Sequence, residues 1–243
     1  MAELPGTGIK IQDTAGEGTS FASHPVVFLH AGSGSARMWE NQVMAFTNVG
    51  YRFICYDRPP NGAPVDDLEA LAQHLGLERF HLVGTAAGGI IAVDYALSYP
   101  QRVRSLVIAN SIVGVQDEDY LEMARRLRPA PEFNALPVEV RELGPSYRAA
   151  NPEGTRRWKE LAQHVAPQAT RNRITWAALQ TIKIPTLLLT GDADLYTPPS
   201  VLRLLAARFP KCESAVIPEC GHSAFWEQPD HFNRTVLDFI VGK

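Results

Sequence analysis

Cysteine is scarce in this sequence, with three in 243 residues, and Cys55, Cys212 and Cys220 are odd in number and far apart. That pattern excludes a disulfide framework and points to reduced thiols. Cys55 sits in an apolar strand and reads as core, and Cys220, close to His222, reads as a small packing residue. No apolar stretch is long enough to span a bilayer, and Met1-Ala2-Glu3-Leu4-Pro5 lacks the charged and apolar regions of a signal peptide. The expectation is a cytoplasmic protein with no membrane partner. An excess of one charge is also missing, since 23 Lys and Arg stand against 26 Asp and Glu and the basic residues are dispersed. No nucleic-acid partner is expected. No set of His, Cys, Asp and Glu has metal-ligand spacing, so neither a metal nor a cofactor is expected. Internal repeats and low-complexity tracts are absent, and the length suits a single domain, residues 1–243.

The most telling absence is a nucleophile. In Val83-Gly84-Thr85-Ala86-Ala87-Gly88-Gly89 the frame Gly-x-Nuc-x-Gly is intact and Ala86 occupies its tip. The apolar run Phe80-His81-Leu82-Val83 precedes it as a buried parallel strand does, and Ile90 to Leu97 reads as the following helix. The glycines have a steric reason: the tip residue sits in a strained backbone conformation, and its neighbours carry no bulk where chain segments cross. Thr85 cannot take the role by a shift of frame, because Val83 and Ala87 would then occupy the glycine positions. A methyl group cannot attack a carbonyl.

Strand patterns near Gly8–Gln12, Pro25–His30, Tyr51–Asp57, Phe80–Val83, Ser105–Asn110, Thr186–Thr190 and Ser214–Pro218 alternate with helical segments. The alternation predicts an α/β fold with a mostly parallel, doubly wound sheet covered on both faces. Residues 112–183 form a long insertion with helical signals at Asp117–Leu127, Pro137–Leu143, Pro152–His164 and Thr170–Thr181. It is too long for a plain connection.

Four segments in order carry a resemblance to the α/β-hydrolase superfamily over nearly the whole chain. Beside the Ala86 frame, Val26-Val27-Phe28-Leu29-His30-Ala31-Gly32-Ser33-Gly34 is similar to the family's strand and His-Gly loop, with Ala31 where glycine is usual. Thr186 to Pro198 resembles the strand and loop carrying the acidic triad member, and Val216 to Ser223 the strand and loop carrying the histidine. The order nucleophile, acid, histidine is that of this fold. The resemblance implies His222 as general base, an imidazole that titrates near neutral pH. Asp194, in the frame Gly191, Asp194, Pro198, is its orienting partner, preferred to Asp192 in the same loop. The backbone N–H groups of Ala87 and Gly32, with Ser33 as the adjacent alternative, would make an oxyanion hole. The insertion at 112–183 would be a helical cap that chooses the substrate.

Tyr196 and Trp226 are candidate walls of the substrate pocket, and among the cap arginines Arg125, Arg126, Arg128 and Arg148 are candidates to meet a substrate carboxylate, although a solvated helix face explains such arginines equally well. His30 and His81 read as hydrogen-bonded core residues. The loop Tyr56 to Leu68 departs from the family by being short and proline-rich, which leaves the site more open or means that residues of a longer loop are missing. The resulting expectation is a capped Ser-His-Asp hydrolase of an ester, a lactone or a vinylogous C–C bond in a small organic molecule, with Ala86 in place of serine. Loss of the hydroxyl alone, with its partners kept, is the pattern of an inactivated variant; drift would erode the partners too. Two other readings stand beside it: a non-hydrolytic lyase or isomerase using His222 as base, and a catalytically silent small-ligand receptor or carrier. Oligomeric state has no signal in the sequence.

Overall fold

In the computed structural model, residues 2–3, 9–15, 24–128 and 131–243 are described. The start of the first expected strand, at Gly8, lies outside them. Among the described residues eight strands form one sheet: β1 (Ala2–Glu3), β2 (Lys10–Asp13), β3 (Val26–Leu29), β4 (Phe53–Tyr56), β5 (Phe80–Thr85), β6 (Val103–Ala109), β7 (Thr186–Gly191) and β8 (Cys212–Ile217). Their spatial order is β1-β2-β4-β3-β5-β6-β7-β8. β1 pairs antiparallel with β2 and β2 antiparallel with β4, and the remaining pairings are parallel. Each expected strand is present with its ends moved by a few residues, and β1 is additional.

The central strands are buried on both faces, which is why they read as unbroken apolar runs rather than as an alternation. Side chains still alternate across the sheet. Val27 and Leu29 enter one core cluster, and Val26 and Phe28 the other. In the second cluster Phe28 packs against Phe53 at 4.5 Å and Trp39 at 5.0 Å between ring centres. Helices α1 (Glu40–Thr47), α2 (Pro64–His74) and α3 (Ala87–Ser98) cover the first half of the sheet.

Between β6 and β7 runs the long insertion, with α4 (Glu118–Leu127), α5 (Glu132–Ala135), α6 (Val138–Glu142), α7 (Pro145–Ala150), α8 (Pro152–Leu161) and α9 (Trp176–Thr181). Two of its expected helices are shorter than anticipated. The α8 helix ends at Leu161 rather than His164, because the next N–H groups turn to another partner: Gln163 donates to the Ser33 carbonyl at 3.2 Å and Val165 to that of Gly32 at 2.7 Å. In α9 the start is Trp176 rather than Thr170. The Thr175 hydroxyl caps it by accepting from Ala178, while the N–H groups of Arg171 and Asn172 are drawn off to the Asp94 carboxylate at 2.7 and 2.9 Å. Helices α10 (Pro199–Ala206), α11 (Ala224–Glu227) and α12 (Pro229–Ile240) complete the chain. No described helix is long and apolar enough to cross a membrane.

Candidate active site

Ala86 is the residue between β5 and α3, and its backbone stands at φ 49°, ψ −115°. A non-glycine residue there is strained by roughly 1–3 kcal/mol and persists only where its surroundings hold it. The surroundings do hold it. The Ala86 N–H donates to Ala109 at 2.9 Å, and its carbonyl accepts from Gly89 N–H at 3.0 Å and from the Ser111 hydroxyl at 2.6 Å. On either side, a Cβ at Gly84 would overlap the Gly88 carbonyl and one at Gly88 the Leu29 carbonyl, so the strand, the turn and the neighbouring strand meet only without side chains. Thr85 is fully buried beneath the turn and gives no second hydroxyl at the tip.

Above the turn lies a cavity of about 480 Å³, with Ala86, Ala87, Gly32, Ser33, His222 and Tyr196 on its wall. His222 is brought there by the loop after β8. Its N–H donates to the Glu142 carbonyl at 2.9 Å, and the buried Glu227 carboxylate gathers the N–H groups of Gly144, Gly221 and Ser223 around it. The imidazole Nδ1 lies 2.9 Å from both oxygens of Asp194. Asp194 in turn accepts from Tyr196 and Thr197 N–H through Oδ1, and from the Thr190 hydroxyl and the Asn110 amide through Oδ2. Asp192, the competitor in the same loop, accepts instead from Glu219 and Cys220 N–H and closes the turn after β8.

Burial by itself would raise the Asp194 carboxyl, but the His222 imidazole and the converging donors outweigh it and hold the group at about 2. For His222 the balance runs the other way. Burial lowers the imidazole, and the Asp194 charge and hydrogen bond, joined by Glu142, carry it above its ordinary value. Glu142, in the wall beside them, is raised by burial.

The loop after β3 is turned by its carbonyls. The Ala31 oxygen is approached by His30 Nδ1 at 2.7 Å, Arg58 Nη2 at 3.0 Å and Gly34 N–H at 3.2 Å. A trans peptide points its N–H opposite to its C=O, so the Gly32 N–H faces away from those donors. Among the described residues the N–H groups of Gly32, Ser33 and Ala87 have no acceptor. Ala87 is also the first residue of α3, where the helix dipole adds positive potential. His30 is held as a neutral ring, since burial pushes it down to about 3 and its Nε2 accepts from Arg58 N–H at 3.2 Å.

Four expected pocket residues are elsewhere. Trp226 is buried in the core behind the cavity and donates to the Gly154 carbonyl at 3.3 Å, because α11 turns the chain away directly after Ser223. Arg125 is exposed and pairs with Glu118 at 2.6 Å, and Arg126 pairs with Glu122. Arg148 donates to the Leu143 carbonyl at 3.1 Å. Tyr196 does line the cavity, its ring centred 4.4 Å from that of His222. Residues unmarked by any motif complete the wall: Arg58, Glu142 and Arg141. Their only signal in the sequence is charge inside segments that fold over the turn. All three cysteines are free, and among the described residues no cluster of three or more His, Cys, Asp or Glu side chains is arranged to hold a metal ion.

Residues 24–229 match the model of a family described as the alpha/beta hydrolase fold. A 2-hydroxy-6-oxononadienedioate/2-hydroxy-6-oxononatrienedioate hydrolase of Comamonas testosteroni is 28% identical over 263 residues, covering 94% of this chain and 90% of the relative. The 2-hydroxy-6-oxo-6-phenylhexa-2,4-dienoate hydrolase of Burkholderia cepacia is 27% identical, with 89% of this chain and 87% of the relative covered. Among solved structures, the enol-lactonase from Burkholderia xenovorans LB400 has a TM-score of 0.78 at 20% identity and covers 98% of each chain. A thermophilic esterase from Thermogutta terrifontis has a TM-score of 0.78 at 23% identity, covering 98% of this chain and 96% of its own. At such identities the structural likeness shows the fold.

Proposed function

The chain belongs to the α/β-hydrolase fold family, and from that premise we propose a Ser-His-Asp hydrolase plan for an ester, a lactone or a vinylogous C–C bond in a small organic molecule, with Ala86 at the nucleophile's place. The observation that carries this reading is the strained backbone of Ala86 at the floor of the cavity whose wall holds His222 on Asp194. Strain of that kind follows from a task at the tip, and here the tip has lost its hydroxyl. In the serine form, His222 takes the hydroxyl proton through Nε2 and returns it to the leaving group, while Asp194 fixes the ring and stabilises its charged form. The N–H groups of Ala87 and Gly32, or Ser33, receive the developing oxyanion. The insertion at 112–183 is the cap that selects the substrate. Relatives named as hydrolases of 2-hydroxy-6-oxo acids and a structural neighbour named an enol-lactonase support small unsaturated acids and lactones as the substrate field. The free cysteines support a reducing compartment, the cytoplasm.

As it stands the protein is a form inactivated for hydrolysis, because no lone pair is available at position 86. One observation favours a second reading, a lyase or isomerase: Glu142 puts a buried carboxyl on the same wall as His222, a proton-transfer pair that needs no serine. The test of the first reading is Ala86→Ser. Loss of a triad member acting as a unit is worth on the order of 10⁶ in kcat, so the serine protein is expected to hydrolyse members of a panel of esters and lactones that the alanine protein leaves intact. A folded Ala86→Ser protein inert against the whole panel contradicts it.

A further inference from the structure

The cavity wall carries three guanidinium groups, those of Arg58, Arg128 and Arg141. Arg58 directs its Nη atoms at neutral acceptors, the carbonyls of His30 and Ala31 and the Gln168 side chain. Arg128 and Arg141 are less committed. Arg128 lies over the Tyr196 ring at 5.6 Å from its centre, and Arg141 donates through Nη1 to the Tyr196 hydroxyl at 3.2 Å. Among the described residues neither has a carboxylate within ion-pair distance. The Nε of Arg141 is buried and without a partner; an unmade bond at a buried charged donor is costly unless something arrives to accept it. Two acids share the wall. Asp94 accepts from the N–H groups of Arg171 and Asn172, and the buried Glu142 carboxyl feels the charges of His222 and Arg141. The wall at Tyr196 therefore presents two guanidinium groups against one buried carboxyl, and the Tyr196 ring is centred 4.4 Å from that of His222, tilted by 39°.

We infer that Arg128, over the Tyr196 ring, and Arg141, at its hydroxyl, form an anion subsite beside His222 that takes a carboxylate carried by the substrate. This rests on the reading of the cavity as a substrate site. A planar guanidinium fork matches a carboxylate and holds it in one orientation, and the subsite's neighbour His222 places the reacting bond a short chain away from that carboxylate. The substrate class is accordingly an ester, lactone or C–C substrate that bears a free carboxylate, and hydrolysis of such an ester or lactone yields a second one.

Binding to the Ala86 protein tests the subsite without turnover. Calorimetric titration compares monomethyl adipate, with one ester and one carboxylate, against the neutral dimethyl adipate. The expected result is a monoester affinity at least about tenfold higher at low salt, the ratio set by the lower range of a charge-assisted hydrogen bond. In Arg128→Gln and in Arg141→Gln that ratio is expected to fall toward one, whereas Arg141→Lys, which keeps the charge, retains part of it. The ratio is read within each protein, so a general change of cavity shape cancels. A second reading needs no variant: the ratio falls as salt is raised, since the charge attraction is screened. Equal affinities, a ratio indifferent to salt, or a ratio surviving in both glutamine variants overturns the proposal. An Ala86→Ser protein that hydrolyses both esters with equal kcat/KM also overturns the subsite but leaves the hydrolase reading in place. Charge-selective binding by the Ala86 protein beside an inert Ala86→Ser protein supports the subsite and removes the hydrolase reading.

Discussion

His222 is the residue on which the two enzymatic readings separate. In a hydrolase lacking its serine, the imidazole has no hydroxyl proton to take, so His222→Ala changes nothing further in single-turnover conversion of a bound ester. In a lyase or isomerase the same substitution lowers the rate by roughly 10²–10⁴, the worth of a positioned general base. Unchanged conversion is the expected outcome, and a collapse from a fast rate favours the second reading. The position of His222, its Asp194 partner and the Ala86 tip were all legible in the sequence, because each sits in a short motif whose spacing is set by a turn. Their supports were not legible. Glu227 holds the His222 loop from a helix five residues on, and Asn110 reaches Asp194 from the end of β6 with its own φ at 48°; neither belongs to a motif. Trp226 failed as a pocket wall because nearness along the chain to His222 says nothing once α11 turns away.

At the scale of elements, the central strands were readable because burial on both faces leaves them uniformly apolar, and the helices of the insertion were readable only in part. Their ends are decided by tertiary partners, the carbonyls of Gly32 and Ser33 for α8 and the Asp94 carboxylate for α9. The contact of β3 with the start of α3 leaves no room for a side chain, and it sets a prediction. Gly88→Ala forces a methyl into the Leu29 carbonyl, and overpacking where backbone meets backbone is expected to cost about 3 kcal/mol or more. Thermal unfolding followed by circular dichroism checks it. A melting temperature within the error of the parent would show that the turn relaxes freely and that its glycines are not steric in origin.

For the whole molecule, two buried histidines set the response to acid. Burial lowers His30 to about 3 and His81 to about 4, while the unfolded chain takes up both protons near pH 6.5. Since the unfolded state binds more protons over that interval, stability falls as pH drops from 6.5 toward 4, by about 2 kcal/mol for each histidine between pH 7 and pH 5. His222 has the opposite sign: its folded value is raised, so its contribution is complete below 6.5 and is lost as pH climbs through the folded value. Asp194, held at about 2, contributes above its unfolded value near 3.8 and is lost only as pH falls from there toward 2. Denaturant titrations at pH 7 and pH 5 are expected to show a net loss of a few kcal/mol, smaller in His81→Gln, whose side chain still reaches the Ser105 hydroxyl that now meets His81 Nδ1 at 2.8 Å. Equal stability at the two pH values would contradict this assignment.

The central claim is that every part of an acyl-transfer site except the attacking oxygen is in place around residue 86. Its most direct test is the intact mass of the Ala86→Ser protein, quenched in acid during reaction with 4-nitrophenyl acetate. The predicted result is one acetyl group on the peptide containing residue 86, absent from the Ala86 protein and from the Ala86→Ser protein that also carries His222→Ala. A folded Ala86→Ser protein that never takes up the acetyl group, or an Ala86 protein labelled to the same extent at that peptide, would contradict the claim.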